Sequence, residues 1–211
     1  GAQMEMREAL LNLITAKYRN YGFVPLDTPA IETLDTLAKK GGDEIEGQIL
    51  KIENSNLGLR FDLTVPMARF VAGVQITPPL KRYAVSKVWR REEPQKGRLR
   101  EFVQADIDIV GSASPYCEAE LLACASDALM AIGFEKFEIR LNSRTLIDSF
   151  LTSIGVKEEA GQRQIMRIMD KIGKTPMPEI KKMLKNALND DDKKTDEIAK
   201  FISLKGNSAV L

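Results

Sequence analysis

The stretch Val88–Gly111, VWRREEPQKGRLREFVQADIDIVG, decides the fold. Four arginines and a lysine crowd together between Arg90 and Arg100, and the residues after them alternate. Successive strand residues point to opposite faces. In REFVQADIDIV that rule puts Val103, Ala105, Ile107 and Ile109 on one side, all apolar. Phe102, Gln104, Asp106 and Asp108 fall on the other. One face is therefore core, and the second sets a ring, an amide and two carboxylates in a row about 20 Å long. The connection EEPQKGRL is too long for a minimal hairpin, so residues 82–91 and 100–110 are expected as strands joined by an extended, basic loop.

Two readings of this charged hairpin stand side by side. Arg90, Lys96, Arg98 and Arg100 make one end cationic, and Asp106 and Asp108 make the other anionic. Arginine forks match phosphate oxygens, and a lone phenylalanine at the end of a polar row suits a stacking ligand. That polarity fits a ligand with polyphosphate at one end and an ammonium or imidazole at the other. In the second reading the charges are cross-strand ion pairs, such as Arg91 or Arg100 with Glu93 or Glu101, worth little at a surface.

Outward from the hairpin, Met6, Leu10, Leu13, Ile14 and Tyr21 follow helical spacing, and Gly22 ends that helix. FVPLDTPAIE reads as extended, punctuated by Pro25 and Pro29. GGDEIEGQILKIENSNLGLRF reads as a loop and then a hairpin closed around Asn54–Asn56. Gly41-Gly42 is a loop rather than a phosphate cradle, because no strand–Gly-rich–helix unit surrounds it. Asp62–Pro66 starts a helix, where Asp62 or Thr64 could serve as an N-cap. Ser114-Pro115 opens another, with Leu121, Leu122, Ala125, Leu129 and Ile132 on its apolar face and Gly133 closing it. Phe137–Leu141 is expected as a further strand. Beyond it only short helices are expected, over 144–154, 158–172 ended by Gly173, 178–188, and 195–204 opened by Thr195. The run NDDDKKTDE reads as a solvated turn. The fold class is α+β: an antiparallel sheet flanked by helices, with a small all-helical appendage.

Bulk properties narrow the function. The 211 residues are 44% hydrophobic with a formal net charge of +1, so no global field announces a nucleic acid or a membrane. There is no histidine, which removes every Ser-His-Asp, Cys-His and His-metal scheme, and no metal ligand set is expected. Cys117 and Cys124 sit seven apart in a helical pattern, too far for a disulfide, and are expected to pack. The apolar stretches are too short to span a membrane, and the composition fits a reducing, cytoplasmic setting.

RYAVSKVWRREEPQKGRLREFVQADIDIVGS resembles motif 2 of class II aminoacyl-tRNA synthetases, in the form found in histidyl-tRNA synthetases. LRFDLTVPMARFVAG resembles that family's histidine-binding segment, and REALLNLITAKYRNYGFVPLDTPAIE resembles motif 1, with its proline at Pro29. The similarity covers about residues 4–144. It implies a catalytic core over 1–144 and a helical insertion over 145–211. It also implies roles by position. Arg90 would be the catalytic arginine that clamps the ATP α-phosphate and the amino-acid carboxylate. Glu92 would bind the adenine side, Arg98 the γ-phosphate, and Phe102 would stack on adenine. Gln104 and Asp108 would contact substrate histidine, Asp108 at the imidazole. Asp62 and Thr64, with Leu63 between them, would hold its α-amino group. The implied reactants are histidine, ATP with Mg2+, and tRNA, and motif 1 implies a homodimer through residues 4–30.

The family's later blocks, an arginine-bearing RGLxYYTG segment and a glycine-rich motif 3, do not occur in these residues. Residues 145–211 carry 12 basic and 10 acidic side chains, a net of only +2 and a thin footprint for RNA. The chain therefore reads as the N-terminal piece of a histidine–tRNA ligase, expected to be inactive alone. Two alternatives compete. One is a synthetase-like regulatory or sensor module, such as the regulatory subunit of ATP phosphoribosyltransferase. The other is a class II synthetase for a different amino acid. The intact set Asp62, Thr64, Arg90, Glu92, Arg98, Phe102, Gln104 and Asp108 speaks against the first, and Asp108 with the LRFDLT block against the second.

Overall fold

Helix α1 (Ala2–Asn20) stops where glycine allows it. Gly22 takes φ +79°, its N–H bonds the Arg19 carbonyl at 2.9 Å, and the Phe23 N–H reaches the Tyr18 carbonyl at 3.0 Å. This is a Schellman closure, and the two residues it joins, Tyr18 and Phe23, are both core. Strands β1 (Val24–Pro25) and β2 (Ile31–Thr33), helix α2 (Leu34–Ala38) and strand β3 (Leu57–Leu59) follow. Helix α3 (Thr64–Gly73) leads into β4 (Leu80–Trp89), β5 (Glu101–Val110) and helix α4 (Pro115–Ala131). This computed structural model describes residues 1–39, 47–91, 93, 96–173 and 175–204; Gly41, Gly42 and Glu92 lie outside them.

The hairpin expected around Asn54–Asn56 forms. Ile52 N–H bonds the Leu57 carbonyl and Leu59 N–H the Leu50 carbonyl, each at 2.9 Å, while Asn54 turns the chain at φ +56°. β3 also pairs antiparallel with β2. The larger sheet has the order β1-β4-β5. β4 and β5 form a ten-pair antiparallel ladder from Leu80 opposite Val110 to Trp89 opposite Glu101. β1 runs parallel to β4, so the sheet is not purely antiparallel as expected. With only two residues, one of them Pro25, β1 suits an edge position.

The odd-numbered face of the ladder carries Tyr83, Val85, Ala105, Ile107 and Ile109, which pack with Tyr18, Phe23, Cys124 and Ala128. Helix α4 therefore buries Cys124 and Ala128 most deeply, not the leucine-rich face expected. Small side chains at the contact let a helix axis come close, which larger ones would prevent. Tyr21 donates to Asp127 at 2.8 Å and Lys81 pairs with Glu120 at 2.5 Å, tying α4 to neighbouring segments. The even-numbered face is different. There Ala84, Val88 and Phe102 pack with Leu63 from the start of α3.

A buried arginine clamps these pieces. Arg60 is 4% exposed; its Nε donates to the Lys87 carbonyl at 3.0 Å and its NH1 meets Asp27 at 2.9 Å and the Thr28 carbonyl. Glu32, also buried, receives both Nε and NH2 of Arg69 at 3.0 and 2.8 Å, joining β2 to α3.

The chain divides into two compact units, residues 1–137 and residue 138 onward. The second contains α5 (Arg144–Ser153), α6 (Glu159–Met169), α7 (Met177–Ala187) and α8 (Asp192–Ser203). Its core is Ile147, Leu151, Ile165, Ile168, Ile180, Leu184 and Ile198, with Phe150 and Phe201 stacked at 4.1 Å nearby. Three expectations change. α6 ends at Met169, short of Gly173. α8 opens at Asp191, whose carboxylate accepts from Lys194 N–H at 3.0 Å, so NDDDKKTDE holds a helix cap and not merely a turn. Phe137–Leu141 forms no strand: no partner ladder is present among the described residues, and Phe137, Ile139 and Leu141 stay exposed.

Candidate active site

The register of the β4–β5 ladder sets which side chains share the polar face. Phe102 lies opposite Val88, Gln104 opposite Ser86, Asp106 opposite Ala84, and Asp108 opposite Arg82. Phe102, Gln104, Asp106 and Asp108 are thus in line, as the alternation requires. The ion pair Lys87–Glu101, at 2.7 Å, falls on the opposite face. Hydrogen bonds from Lys87 and from Trp89 Nε1 hold the Glu101 carboxyl below its usual range. That cross-strand pairing, with lysine in place of the arginines expected, leaves the polar face to other uses.

At the loop end, Arg90 continues the ladder through its N–H to the Arg100 carbonyl at 2.9 Å. Its Nε donates to the Phe61 carbonyl at 3.0 Å, and its guanidinium carbon stands 5.1 Å from the Phe102 ring centroid. Arg90, Gly97, Arg98, Leu99 and Phe102 line a cavity of about 270 Å³. Two guanidinium groups and a phenyl ring on one concave surface can take an anionic group and an aromatic one together.

At the far end of the same face, Arg82 is fully buried. Its NH2 lies 2.5 Å from Asp108 Oδ2 and donates to the Leu63 carbonyl at 3.3 Å. Arg82 Nε, Gln104 Oε1 and Asp108 Oδ2 are all buried without an aligned hydrogen-bond partner among the described residues. Asp108 Oδ2 still has the Arg82 guanidinium as its ion-pair partner, whereas buried polar atoms such as Arg82 Nε and Gln104 Oε1 are costly unless something else satisfies them, which makes each a candidate contact for a polar partner. Arg82 was missed by sequence reading. An arginine in an apolar strand was the signal, but only the register reveals that it faces Asp108.

Asp62 is buried and its Oδ1 accepts the Val65 N–H at 3.1 Å, so it does cap α3. Leu63 packs against Ala84, Val88 and Phe102, which brings the LRFDLT block to the hairpin. Thr64 lines a separate, mainly apolar hollow of about 410 Å³ with Thr36, Lys39, Val65, Ala68 and Arg69. Arg100 is exposed at the hairpin rim. Among the described residues, no group of three or more His, Cys, Asp or Glu could hold a metal.

Comparison with known proteins identifies the family. The family model described as histidyl-tRNA synthetase matches residues 1–211. Histidine–tRNA ligase of Clostridium tetani is 42% identical over 202 residues, covering 93% of this chain and 45% of that protein. The ligase of Aeropyrum pernix is 41% identical over 212 residues, covering 96% and 47%. The crystal structure of histidyl-tRNA synthetase from Nostoc superposes with a TM-score of 0.83 at 28% identity, over 98% of this chain and 47% of that one. An ATP phosphoribosyltransferase regulatory subunit/histidyl-tRNA synthetase from Bacillus halodurans shares the fold, with a TM-score of 0.73 at 18% identity. The chain spans about half the length of the curated relatives it matches. On the match across its length and on these identities, the chain belongs to the histidyl-tRNA synthetase family.

Proposed function

We propose that this chain supplies the nucleotide- and histidine-binding hairpin of a histidine–tRNA ligase, with the core over residues 1–144 and a helical insertion over 145–211. One observation carries the reading. The polar face of one ladder carries an aromatic ring with a clamped arginine at one end, a carboxylate at the other, and a buried amide oxygen without a hydrogen-bond partner among the described residues between them.

In that reaction the histidine carboxylate attacks the α-phosphorus of ATP. The bond from that phosphorus to the bridging oxygen breaks, so pyrophosphate leaves and histidyl-adenylate stays bound. A ribose hydroxyl of the tRNA's terminal adenosine then attacks the acyl carbon, forming the ester and releasing AMP. Charge builds on the phosphoryl oxygens in the first step, so a guanidinium already held in place stabilises the transition state more than a mobile one. Arg90 is so held, by the Phe61 carbonyl and the Phe102 ring. Arg98 shares its cavity and suits the outer phosphates. Magnesium would enter with the ATP phosphates as part of the substrate. Asp108 suits the imidazole and Gln104 another part of the substrate histidine, while the α-amino role of Asp62, Leu63 and Thr64 rests on their motif position, since Thr64 lines the separate hollow beside α3. Glu92 keeps the adenine-side role that its motif position implies.

Met6, Leu10 and Leu13 recur on α1 at helical spacing and remain exposed, which supports a homodimer through this segment. No helix of the described residues is long and apolar enough to cross a membrane; the cytoplasmic location proposed here rests on the ligase reading.

The test is histidine-dependent exchange of pyrophosphate into ATP by the protein that carries this chain. Exchange abolished by Arg90→Ala supports the reading. Tight histidine or ATP binding with no exchange would favour the regulatory alternative, and full exchange in Arg90→Ala rejects the role of Arg90.

A further inference from the structure

Arg82 joins the two segments on which the histidine site is proposed to lie. Its NH2 is 2.5 Å from Asp108 on β5 and donates to the Leu63 carbonyl at the start of α3. The side chain is 1% exposed, and its Nε has no hydrogen-bond partner among the described residues. Burying a guanidinium in this way is costly unless its partners are held in return. A leucine or methionine would fill similar space without that cost, so packing alone does not account for an arginine here.

We propose that Arg82 is a positioning and specificity-determining residue, which fixes Asp108 against the backbone of Leu63 and turns the site towards a ligand that donates a neutral N–H. The inference rests on the histidine site proposed above. The geometry works in two ways. The pair holds one Asp108 oxygen, Oδ2, in the wall, which leaves the second oxygen to meet a ligand. The guanidinium also offsets the Asp108 charge locally, so that carboxylate accepts an N–H donor without requiring a full positive charge beside it. The buried Gln104 Oε1, four pairs along the ladder on the same face, is a further acceptor of the same kind. An imidazole ring, with one N–H in its neutral form, meets such a wall. A long flexible ammonium would find its counter-charge already taken.

The bridge also couples the two segments. A change at Asp108 is felt at Leu63 and Thr64 through Arg82, although these residues lie on different elements.

Two measurements on this chain test the inference, using Arg82→Met, which keeps volume without charge, and Arg82→Lys, which keeps charge without the fork. The first needs no ligand. Backbone amide resonances of Leu63 and Thr64 shift on Asp108→Asn, and the shift disappears in the Arg82→Met background; a shift that persists there overturns the bridge. If Arg82→Met does not fold, the same comparison in Arg82→Lys decides, with the shift at least halved. The second compares affinity for histidine with that for 3-(2-thienyl)alanine, whose ring has no N–H. A charge-assisted hydrogen bond predicts a preference for histidine of roughly 10–100-fold. Arg82→Met reduces the preference towards that of Asp108→Ala, whereas a purely structural role lowers both affinities alike and leaves the ratio intact, which would overturn the proposal. Wild-type chain that shows the amide coupling but no affinity for histidine would overturn the histidine site and leave the bridge standing.

Discussion

The Arg90 guanidinium stands 5.1 Å from the centre of the Phe102 ring, and these two residues are separated by the whole connecting loop. The ladder brings them together: Arg90 follows Trp89, whose partner Glu101 precedes Phe102. A cation over a ring gains roughly 0.5–1 kcal/mol at exposed sites and about 2 when desolvated. With the bond to the Phe61 carbonyl, that contact orients Arg90 before any ligand arrives.

Phe102→Ala is accordingly expected to weaken ATP binding by roughly 5–30-fold, through loss of both the stacking surface and the support of Arg90. Phe102→Tyr keeps a ring and leaves affinity little changed. Calorimetric titration with ATP checks this, and equal affinity in wild type and Phe102→Ala would place the nucleotide elsewhere.

Asp27 gives a pH dependence. Burial pushes its carboxyl up, but hydrogen bonds from Ser86 Oγ, the Thr28 N–H and Arg60 outweigh burial and leave it below its usual value. A carboxyl held lower in the folded than in the unfolded chain adds stability above its unfolded pKa, and that stability is lost as pH falls through the folded value. Stability of the wild type to urea should therefore hold down to the ordinary carboxylate range and fall as pH drops below it. Asp27→Asn should be less stable at neutral pH and show a shallower decline. An identical decline in the variant would remove Asp27 from the account.

Much of this architecture was legible because local physics and tertiary packing agree. The period-two pattern of 101–110 separates the faces as observed, and Gly22 and Gly133 end their helices through positive φ. What failed needed partners that spacing cannot reveal. Arg82 gains meaning only from its pairing with Asp108. The parallel β1 depends on a strand almost sixty residues further along the chain. Phe137–Leu141 has the alternation of a strand, yet the pattern alone supplies no ladder.

Gly111 closes β5 at φ +90°, and a Cβ placed there would sit 2.8 Å from Pro78 Cβ. Neither can yield easily, because the proline ring is rigid and the backbone conformation disfavours any Cβ. Gly111→Ala should cost about 2 kcal/mol or more by urea denaturation. A cost near zero would mean that the turn relaxes freely around Pro78.

The helical unit has its own core, and that makes its stability separable. Leu184 is fully buried among Ile147, Leu151, Ile165, Ile168, Ile180 and Ile198. Leu184→Ala removes apolar volume from a close-packed site and should cost about 2–5 kcal/mol. Because no residue of that cluster belongs to the β4–β5 ladder, the loss should stay local. Hydrogen exchange resolves the two: amides of α5–α8 should lose protection in Leu184→Ala, while those of β4 and β5 keep theirs. Equal loss in both would show that the chain unfolds as one cooperative body, and the two cores would then have to be treated as a single energetic unit.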